Sequence, residues 1–451
     1  MAYSSLEEKI VKHGNAVDFL RNDPVGANPF PWQRQYTNWR DEQRAWKDTA
    51  VLFDQSFHMW SHYFEGPDLK RLFTDISVSS FAKFGRNRAK QLIVCNYDGY
   101  FIGDAVIFGL EDDKWLVTGP PTAANWAQFH AETAGYDIRV TRDEQKQHNA
   151  GKRTLYRFQV QGPNAGKIVE KAHGKPLEPI GFFRMGEFTI AGKNVRGLNH
   201  TMSGGRGFEM NGLELFGPLD DGPVVKDALV AAGEEFGLRL GGSIAYSTVT
   251  VESGWIPIPV PAVYTGDSML PYREWLPGDG WEARLSIGGS FVSDKIEDYY
   301  VRPSDLGYGH LVKFDHDFIG REALQKAHSG RQRKKVWLRW NDEDVTAAIA
   351  RSLFGSEPRT KSLELPRLDY AYSQNDMVLD KDNVVGRSTV AAYTVNVGSV
   401  SSLAMVDEDV AQDGKEVTVV WGEPNGGSGK LLVEPHVQTT IRATVSTTRL
   451  V

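Results

Sequence analysis

The sequence predicts an α+β protein of more than one domain, ending in a β-barrel or sandwich. Three observations carry this. Strand-like and helix-like stretches alternate through the first two thirds, and twice a strand, a Gly-Pro pair and a helix follow one another. An Asp-Gly pair at 98–99 joins two apolar runs, the signature of a β-hairpin. After Gly330 the chain is rich in Val and Thr, with turns at Asp380–Asn383, Gln412–Gly414 and Asn425–Gly429, the spacing of short strands in an all-β unit. A chain of 451 residues is too long for one small core, so two or three domains are expected, with a boundary near Gly330.

In order, Pro24, Pro29 and Pro31 break any helix near the start, and Asn28-Pro29-Phe30-Pro31 is rigid and apolar enough to lie over something. A helix is predicted from Asn38 to Lys47, with Trp39 and Trp46 on one face and Asp41 and Glu42 in the first turn, where the dipole favours them. Val51–Trp60 reads as one strand with a polar centre of Asp54, Gln55, Ser56 and His58. The hairpin spans Gln91–Phe108, with Asp104 interrupting its second strand, where a carboxylate needs a partner. Trp115–Thr118 is a strand, followed by a helix to Thr133 with Gly135 as its stop. Tyr156, Phe158 and Val160 alternate along the next strand, and Gly162-Pro163 opens a helix to His173-Gly174. LELF, Gly217-Pro218 and a helix from Pro223 to Phe236 repeat that unit. Gly254–Gly280 is a long aromatic loop, and loops of that length inside a compact domain are usually functional. Leu306–Gln325 reads as a strand or two and a short helix.

Composition narrows the function. An apolar share of 41% and a charged share of 24% are those of a soluble globular protein. A net charge of −7 offers no global field for nucleic acid or anionic membrane. Lys and Arg cluster at Arg86–Lys90 and Arg331–Lys335, as solvated faces or as a site for a polyanionic ligand tail. The single cysteine, Cys95, supports neither a disulfide framework nor a thiolate metal site. No apolar run is long enough to span a bilayer and the N-terminus has no signal core, so a cytoplasmic location is expected.

No phosphate loop, dinucleotide fingerprint, nucleophile elbow or His spacing for a metal is present. The richest stretch is Gly241–Trp255, GGSIAYSTVTVESGW. It sets an acid (Tyr246), a carboxylate (Glu252) and a flat aromatic (Trp255) within ten residues. A bicyclic polar ligand with hydrogen-bonding edges could use all three; the alternative is a β-rich core segment whose Tyr hydroxyl finds a backbone partner. Asp104, His58, Glu214, Tyr246 and Glu252 are the acid–base candidates.

Six further stretches, FDQSFHM, GYFIGDAVIF, FQVQGPNA, GLELFGP, VESGW and LVKFDHDFIGREAL, occur in the order and spacing of the glycine-cleavage T-protein (aminomethyltransferase) superfamily, which the chain resembles over nearly its whole length. GSIAYSTVTVESGWIPIPVPAVYTGD, SFVSDKIEDYYVRP and WGEPNGGSGK resemble the tetrahydrofolate-dependent aromatic O-demethylases acting on vanillate and syringate, a branch that also holds the sesamin-metabolising enzyme. The resemblance implies a three-domain cloverleaf: two interleaved folate-binding α+β domains in residues 1–329 and a C-terminal β-barrel in 330–451. It implies tetrahydrofolate as cofactor, a small aromatic ether as substrate, and no obligate protein partner.

Residue by residue, the resemblance puts Glu214 on the glutamate that binds the pterin, with Trp255 and Glu252 beside the cofactor. It puts Tyr246 on the catalytic tyrosine, His58 on an active-site histidine, and Asp104 on the aspartate near the reacting nitrogen. Gln55, Phe30 and Pro120 fall in the substrate pocket. Vanillate-type enzymes carry Arg where this chain has Pro120 and Tyr where it has Phe30. Both changes make the pocket more apolar and remove an ion-pair partner for a benzoate. This favours a neutral substrate, a lignan with a methylenedioxy ring such as sesamin, giving a catechol and 5,10-methylene-tetrahydrofolate. The alternative is O-demethylation of a vanillate-, syringate- or guaiacol-type ether. Thr250 stands where T-proteins carry Arg, which argues against the glycine-cleavage reaction. A non-enzymatic folate-binding protein of the iron–sulfur assembly type would carry Lys-Gly-Cys-x-x-Gly-Gln-Glu, absent here. An amine or sulfonium demethylase is a further competing class.

Overall fold

The computed structural model describes residues 3–23, 33–143, 153–202, 210–327, 330, 332–354, 358–368 and 370–451. Phe30 and the rest of the Asn28–Pro31 segment lie outside them. The first strands in chain order are β1 (Ala50–Asp54), β2 (Trp60–Glu65), β3 (Ala89–Cys95), β4 (Phe101–Glu111), β5 (Lys114–Gly119), β6 (Arg139–Asp143), β7 (Leu155–Gln161), β8 (Met185–Ile190), β9 (Lys193–Asn199), β10 (Gly212–Pro218) and β11 (Leu238–Leu240). They form two sheets, β11-β1-β7-β10-β9-β8 and β3-β4-β5-β2-β6. The chain enters the first sheet with β1, builds the second, and returns with β7.

Period-two alternation on β7 organises the first sheet. Tyr156, Phe158 and Val160 face the core, where Ile168 and Val169 of helix Ala165–His173 and Val225 and Leu229 of helix Gly222–Gly233 cover them. Arg157, Gln159 and Gln161 occupy the other face and are buried as well. The two strand–helix units read from the sequence are therefore neighbours, since β7 and β10 pair antiparallel.

The remaining strands are β12 (Ile287–Gly288), β13 (Arg333–Trp340), β14 (Ser373–Gln374), β15 (Asp376–Asp380), β16 (Asn383–Thr394), β17 (Ser399–Asp407), β18 (Glu416–Trp421) and β19 (Thr439–Ser446). A closed barrel runs β13-β17-β16-β15-β18-β19, with β19 pairing back onto β13. Closure leaves no unpaired sheet edge. Helix Asp342–Leu353 packs on the barrel core through Val345 and Ala348. The barrel joins the second sheet through an apolar contact in which Ile93, Cys95 and Phe101 meet Trp337, Leu403 and Met405.

Several elements differ from expectation for local reasons. Val51–Trp60 is not one strand: Asp54 Oδ1 accepts from the Ser56 N–H and hydroxyl, at 3.2 and 2.7 Å, and this Asx turn ends β1. The hairpin loop is longer than two residues, because Asn96 Oδ1 gathers the N–H groups of Asp98 and Tyr100. Leu306–Gln325 contains no strand; it holds a 3₁₀ turn, Gly309–Leu311, and leads into helix Arg321–Ala327. Two N-terminal helices, Leu6–His13 and Ala16–Asn22, are capped by Ser5 and Asn15, signals that the proline-rich end obscured. Gly241–Trp255 is helical rather than β-rich: Ser243–Tyr246 and Val249–Ser253 are short helices, ended by Gly254 at φ +78°. β-Branched residues there yield to tertiary context.

That segment is seated by close backbone approach. A Cβ on Gly242 would lie 2.3 Å from Arg34 O and 2.5 Å from Gln35 Cα, and the Gly242 N–H donates to buried Glu42 Oε2 at 2.8 Å. Gly242→Ala should therefore destabilise the protein by about 1–3 kcal/mol, the usual cost of overpacking. Urea unfolding of the two proteins measures the difference.

Candidate active site

A cavity of about 390 Å³ opens where the two sheets, the 241–255 segment and the barrel meet. That is the size of a small-molecule site. The first sheet contributes Arg157, Glu214 and, just past β9, His200; the β1–β2 turn Gln55 and His58; the second sheet Gln91 and, just past β5, Pro120; and the 241–255 segment Tyr246, Thr250 and Trp255. Lys335, Arg367 and Arg449 complete the wall from the C-terminal part.

Glu214 is the best-defined group. The β7–β10 register places its side chain on the face that carries Arg157. Arg157 donates to Oε1 through Nε at 2.6 Å and through Nη2, and His200 Nε2 meets Oε2 at 2.8 Å. Burial alone would push the Glu214 carboxyl up. The Arg157 charge, with the His200 and Arg157 hydrogen bonds, outweighs burial and holds it down to about 2. The carboxylate is thus ionised at neutral pH and aimed, with lone pairs remaining for a ligand N–H.

Tyr246 lies across the β1–β2 turn. Gln55 Nε2 donates to its hydroxyl at 3.1 Å and also meets Met202 Sδ at 2.8 Å. The His58 ring stands edge-on to the Tyr246 ring, with centroids 5.1 Å apart. Burial pushes the phenol up, against the opposing Arg157 charge. Burial also pushes His58 down to about 3, helped by Arg157 and Arg153. At neutral pH the tyrosine keeps its proton and the imidazole is neutral.

Asp104 sits behind the wall. Its Oδ2 accepts from Trp255 Nε1 at 3.0 Å, Tyr308 hydroxyl at 2.7 Å and Gln91 Nε2 at 2.5 Å. Burial raises it to about 6 despite those three bonds. Through this hub the indole of Trp255 is held at the cavity.

Of the residues singled out from the sequence, Tyr246, His58, Glu214, Trp255, Gln55 and Pro120 line this one cavity, and Asp104 supports it. Glu252 is a correction. It is absent from the wall: Trp46 Nε1 donates to its Oε2 at 2.7 Å and Asn396 Nδ2 to its Oε1 at 3.2 Å. Sequence proximity to Tyr246 suggested a cofactor role, but the short helix Val249–Ser253 turns the carboxylate toward the helix Trp39–Asp48 and the barrel. Arg157, His200 and Tyr308 were missed, and Lys335 was seen only as part of the basic run Arg331–Lys335. For Arg157 the signal was present: its place in the alternating YRFQVQ run puts it with Gln159 and Gln161 on a second face that, between two sheets, is also interior. His200 and Tyr308 have none.

Residues 12–259 match the sequence model of the GCVT N-terminal domain. The chain is 44% identical over 444 residues to syringate O-demethylase of a Sphingobium species, covering 98% of this chain and 95% of that one. It is 28% identical over 406 residues to sesamin methylene transferase of a Sinomonas species, covering 86% of each. Among solved structures, glycine cleavage system aminomethyltransferase T from Bartonella henselae superimposes with a TM-score of 0.60 at 14% identity, covering 96% of both chains, a likeness of fold.

The Arg157–Glu214 pair generates a pH-dependent stability. The folded-state pKa of Glu214 is depressed from 4.5 to about 2, so its contribution is complete above about pH 4.5 and is lost as pH falls toward 2. Glu214→Gln should cost about 3–5 kcal/mol at pH 7, because Arg157 is left buried without its counter-charge. The gap to wild type should narrow at pH 3; urea unfolding at the two pH values measures it, and a gap independent of pH would contradict the assignment.

Proposed function

The chain belongs to the GCVT family and, within that superfamily, to the tetrahydrofolate-dependent aromatic O-demethylase branch, and on this premise we propose that it removes a methyl group from a methoxylated aromatic acid of the syringate type. It is a tetrahydrofolate-dependent one-carbon transferase. What supports the finer reading is the joint presence, at one cavity and at neutral pH, of a protonated tyrosine and an ionised carboxylate.

The residues fit the cofactor. A pterin presents an edge of N–H donors, and Glu214, ionised and held by Arg157 and His200, is a matching acceptor. Trp255, fixed by Asp104, offers a flat surface for the ring system. When bound, tetrahydrofolate supplies the nucleophilic amine that receives the one-carbon unit.

The protein's own contribution is to the leaving group. As the ether C–O bond breaks, the aryl oxygen takes both bonding electrons and becomes a phenolate. Tyr246 donates its hydroxyl proton to that oxygen, and Gln55, hydrogen-bonded to the same hydroxyl, orients it. His58, neutral and edge-on to Tyr246, shapes the site and offers a ring nitrogen without adding charge. Asp104 is a positioning residue: its bonds hold Trp255 and Tyr308 in place.

The methylenedioxy lignan favoured from the sequence gives way to the methoxy alternative. Identity to the syringate enzyme is 44% over nearly the whole chain, against 28% for the sesamin enzyme. The argument from Pro120 also weakens. The cavity wall carries cations from the barrel side, so the lack of an arginine at position 120 does not strip it of partners for a carboxylate.

Anaerobic incubation with tetrahydrofolate and syringate should give a free phenol and a methylated folate by mass spectrometry. Tyr246→Phe should lower kcat by about 10²–10⁴-fold, the range for loss of a general acid, while folate affinity, measured by calorimetry, stays near wild type. Bridging-carbon transfer from sesamin without methyl transfer from syringate would overturn the substrate assignment.

A further inference from the structure

Away from the central cavity, one arginine of the barrel is buried at a joint between domains. Arg387, on β16, is 2% exposed. It pairs with Met405 of β17, on the barrel face that packs against the second sheet. Its guanidinium lies beside the rings of Phe291 and Tyr299, with Cζ 5.2 and 5.9 Å from their centroids. Both rings belong to SFVSDKIEDYYVRP, residues 290–303, a stretch the mechanism above leaves unused. Neither Arg387 nor these two aromatics line the central cavity.

The hydrogen bonding of Arg387 is one-sided. Nη1 donates to Asn375 Oδ1 at 3.4 Å, while among the described residues the buried Nε and Nη2 have no partner. Those two nitrogens share one edge of the planar guanidinium and their N–H bonds run parallel, the fork that grips an anion. Among the described residues no carboxylate closes it. The charges that reach Arg387 are those of Arg333 on β13 and of Asp298 and Asp305 in the facing loop. Asp298 is exposed and accepts from Ser293 Oγ at 2.5 Å. Asp305 accepts from the Arg302 N–H at 2.8 Å, and its charge is shared among Arg302, Arg333 and Arg387. Burial and the Arg333 charge lower Arg387 to about 10. A cation held in the interior short of counter-charge is costly, and unmet N–H groups add to the cost.

An atom-sized anion answers both costs, and the neighbouring space sets its size. A cavity of about 20 Å³ is lined by Tyr299 and Asn375, which flank the guanidinium, and by Met405. That is room for one water or one halide, and too little for a carboxylate or phosphate group. We propose that the Nε–Nη2 fork of Arg387 binds a single halide ion, chloride being the natural case, at the joint between the barrel and the 290–303 loop. The loop is tied onward to the second sheet, where the Phe101 N–H donates to Val301 O at 2.8 Å. Arg21 Nη1 ties it to the N-terminal helix Ala16–Asn22 by donating to Phe291 O at 3.0 Å. An anion that neutralises Arg387 therefore steadies the contact through which the barrel meets the rest of the chain.

Two measurements test this. Wild-type crystals grown with bromide in place of chloride, with diffraction collected at the bromine edge, should show an anomalous peak within hydrogen-bond reach of Arg387 Nε and Nη2. Thermal unfolding of wild type and Arg387→Met is then followed in chloride and in gluconate at matched ionic strength, gluconate being too large for the site. Methionine keeps the apolar stem and removes the fork. Chloride titrated against gluconate should raise the wild-type midpoint saturably, by about 1–3 °C more than it raises that of the variant. Comparing the two proteins cancels the general effect of each salt. A water in the fork and no bromide peak would overturn the proposal. So would a bromide peak with equal chloride responses in the two proteins, which means binding at crystal concentration only. If Arg387→Met does not fold, the wild-type bromide map together with a saturable wild-type chloride response decides.

Discussion

The buried pair of Arg157 and Glu214 is the interaction on which the centre of this molecule depends. Two charges removed from water need each other and further hydrogen bonds to be tolerated. Glu214 has both Arg157 and His200, and Arg157 reaches on to Thr118 Oγ1 in the second sheet at 3.2 Å. Arg153, just before β7, makes the same crossing, donating to Ser56 O, Asp143 O and Ser61 Oγ. Two arginines from one stretch of chain thus stitch the sheets together around the cavity. The same guanidinium acts on protonation: it lowers Glu214, lowers His58 and opposes the upward shift of Tyr246.

Other buried carboxylates hold the walls rather than the ligand. Glu42 accepts the N–H groups of Tyr36, Thr37 and Gly242, binding the stretch before helix Trp39–Asp48 to the start of the 241–255 segment. Glu252 ties the end of that segment to Trp46 and to Asn396 at the β16–β17 turn. The barrel adds Trp337 Nε1 to Val251 O at 2.7 Å and Arg367 Nη1 to Ser247 O at 2.6 Å. Tyr246 therefore sits on a segment fixed from three sides, and a proton donor so held loses little to reorganisation.

The barrel has its own buried ionic centre, Lys361 with Glu423 and His436, beside the Gly289 N–H. Its role is architectural. It fixes the loop after β12 to the barrel, and the barrel in turn presents Lys335 to the cavity.

The sequence by itself determined the short-range elements and the chemistry of their residues. The hairpin at Asp98-Gly99, the two strand–helix units and the turn-punctuated C-terminal strands depend on neighbours within a few residues, where glycine, proline and alternation act directly. Residues carried by the family resemblance, Tyr246, His58, Glu214 and Trp255, were legible for the same reason: each stands in a recognisable local run. Only the tertiary structure decided which of them meet. Glu252 lies six residues from Tyr246 yet serves the barrel contact, because helical turns separate side chains that a list of residues places together. Arg157 and Lys335 come to the cavity from strands about 180 residues apart, and no local pattern records that distance. Whether a polar strand face meets water or the opposing sheet is set by what packs on it, and that is a property of the whole fold.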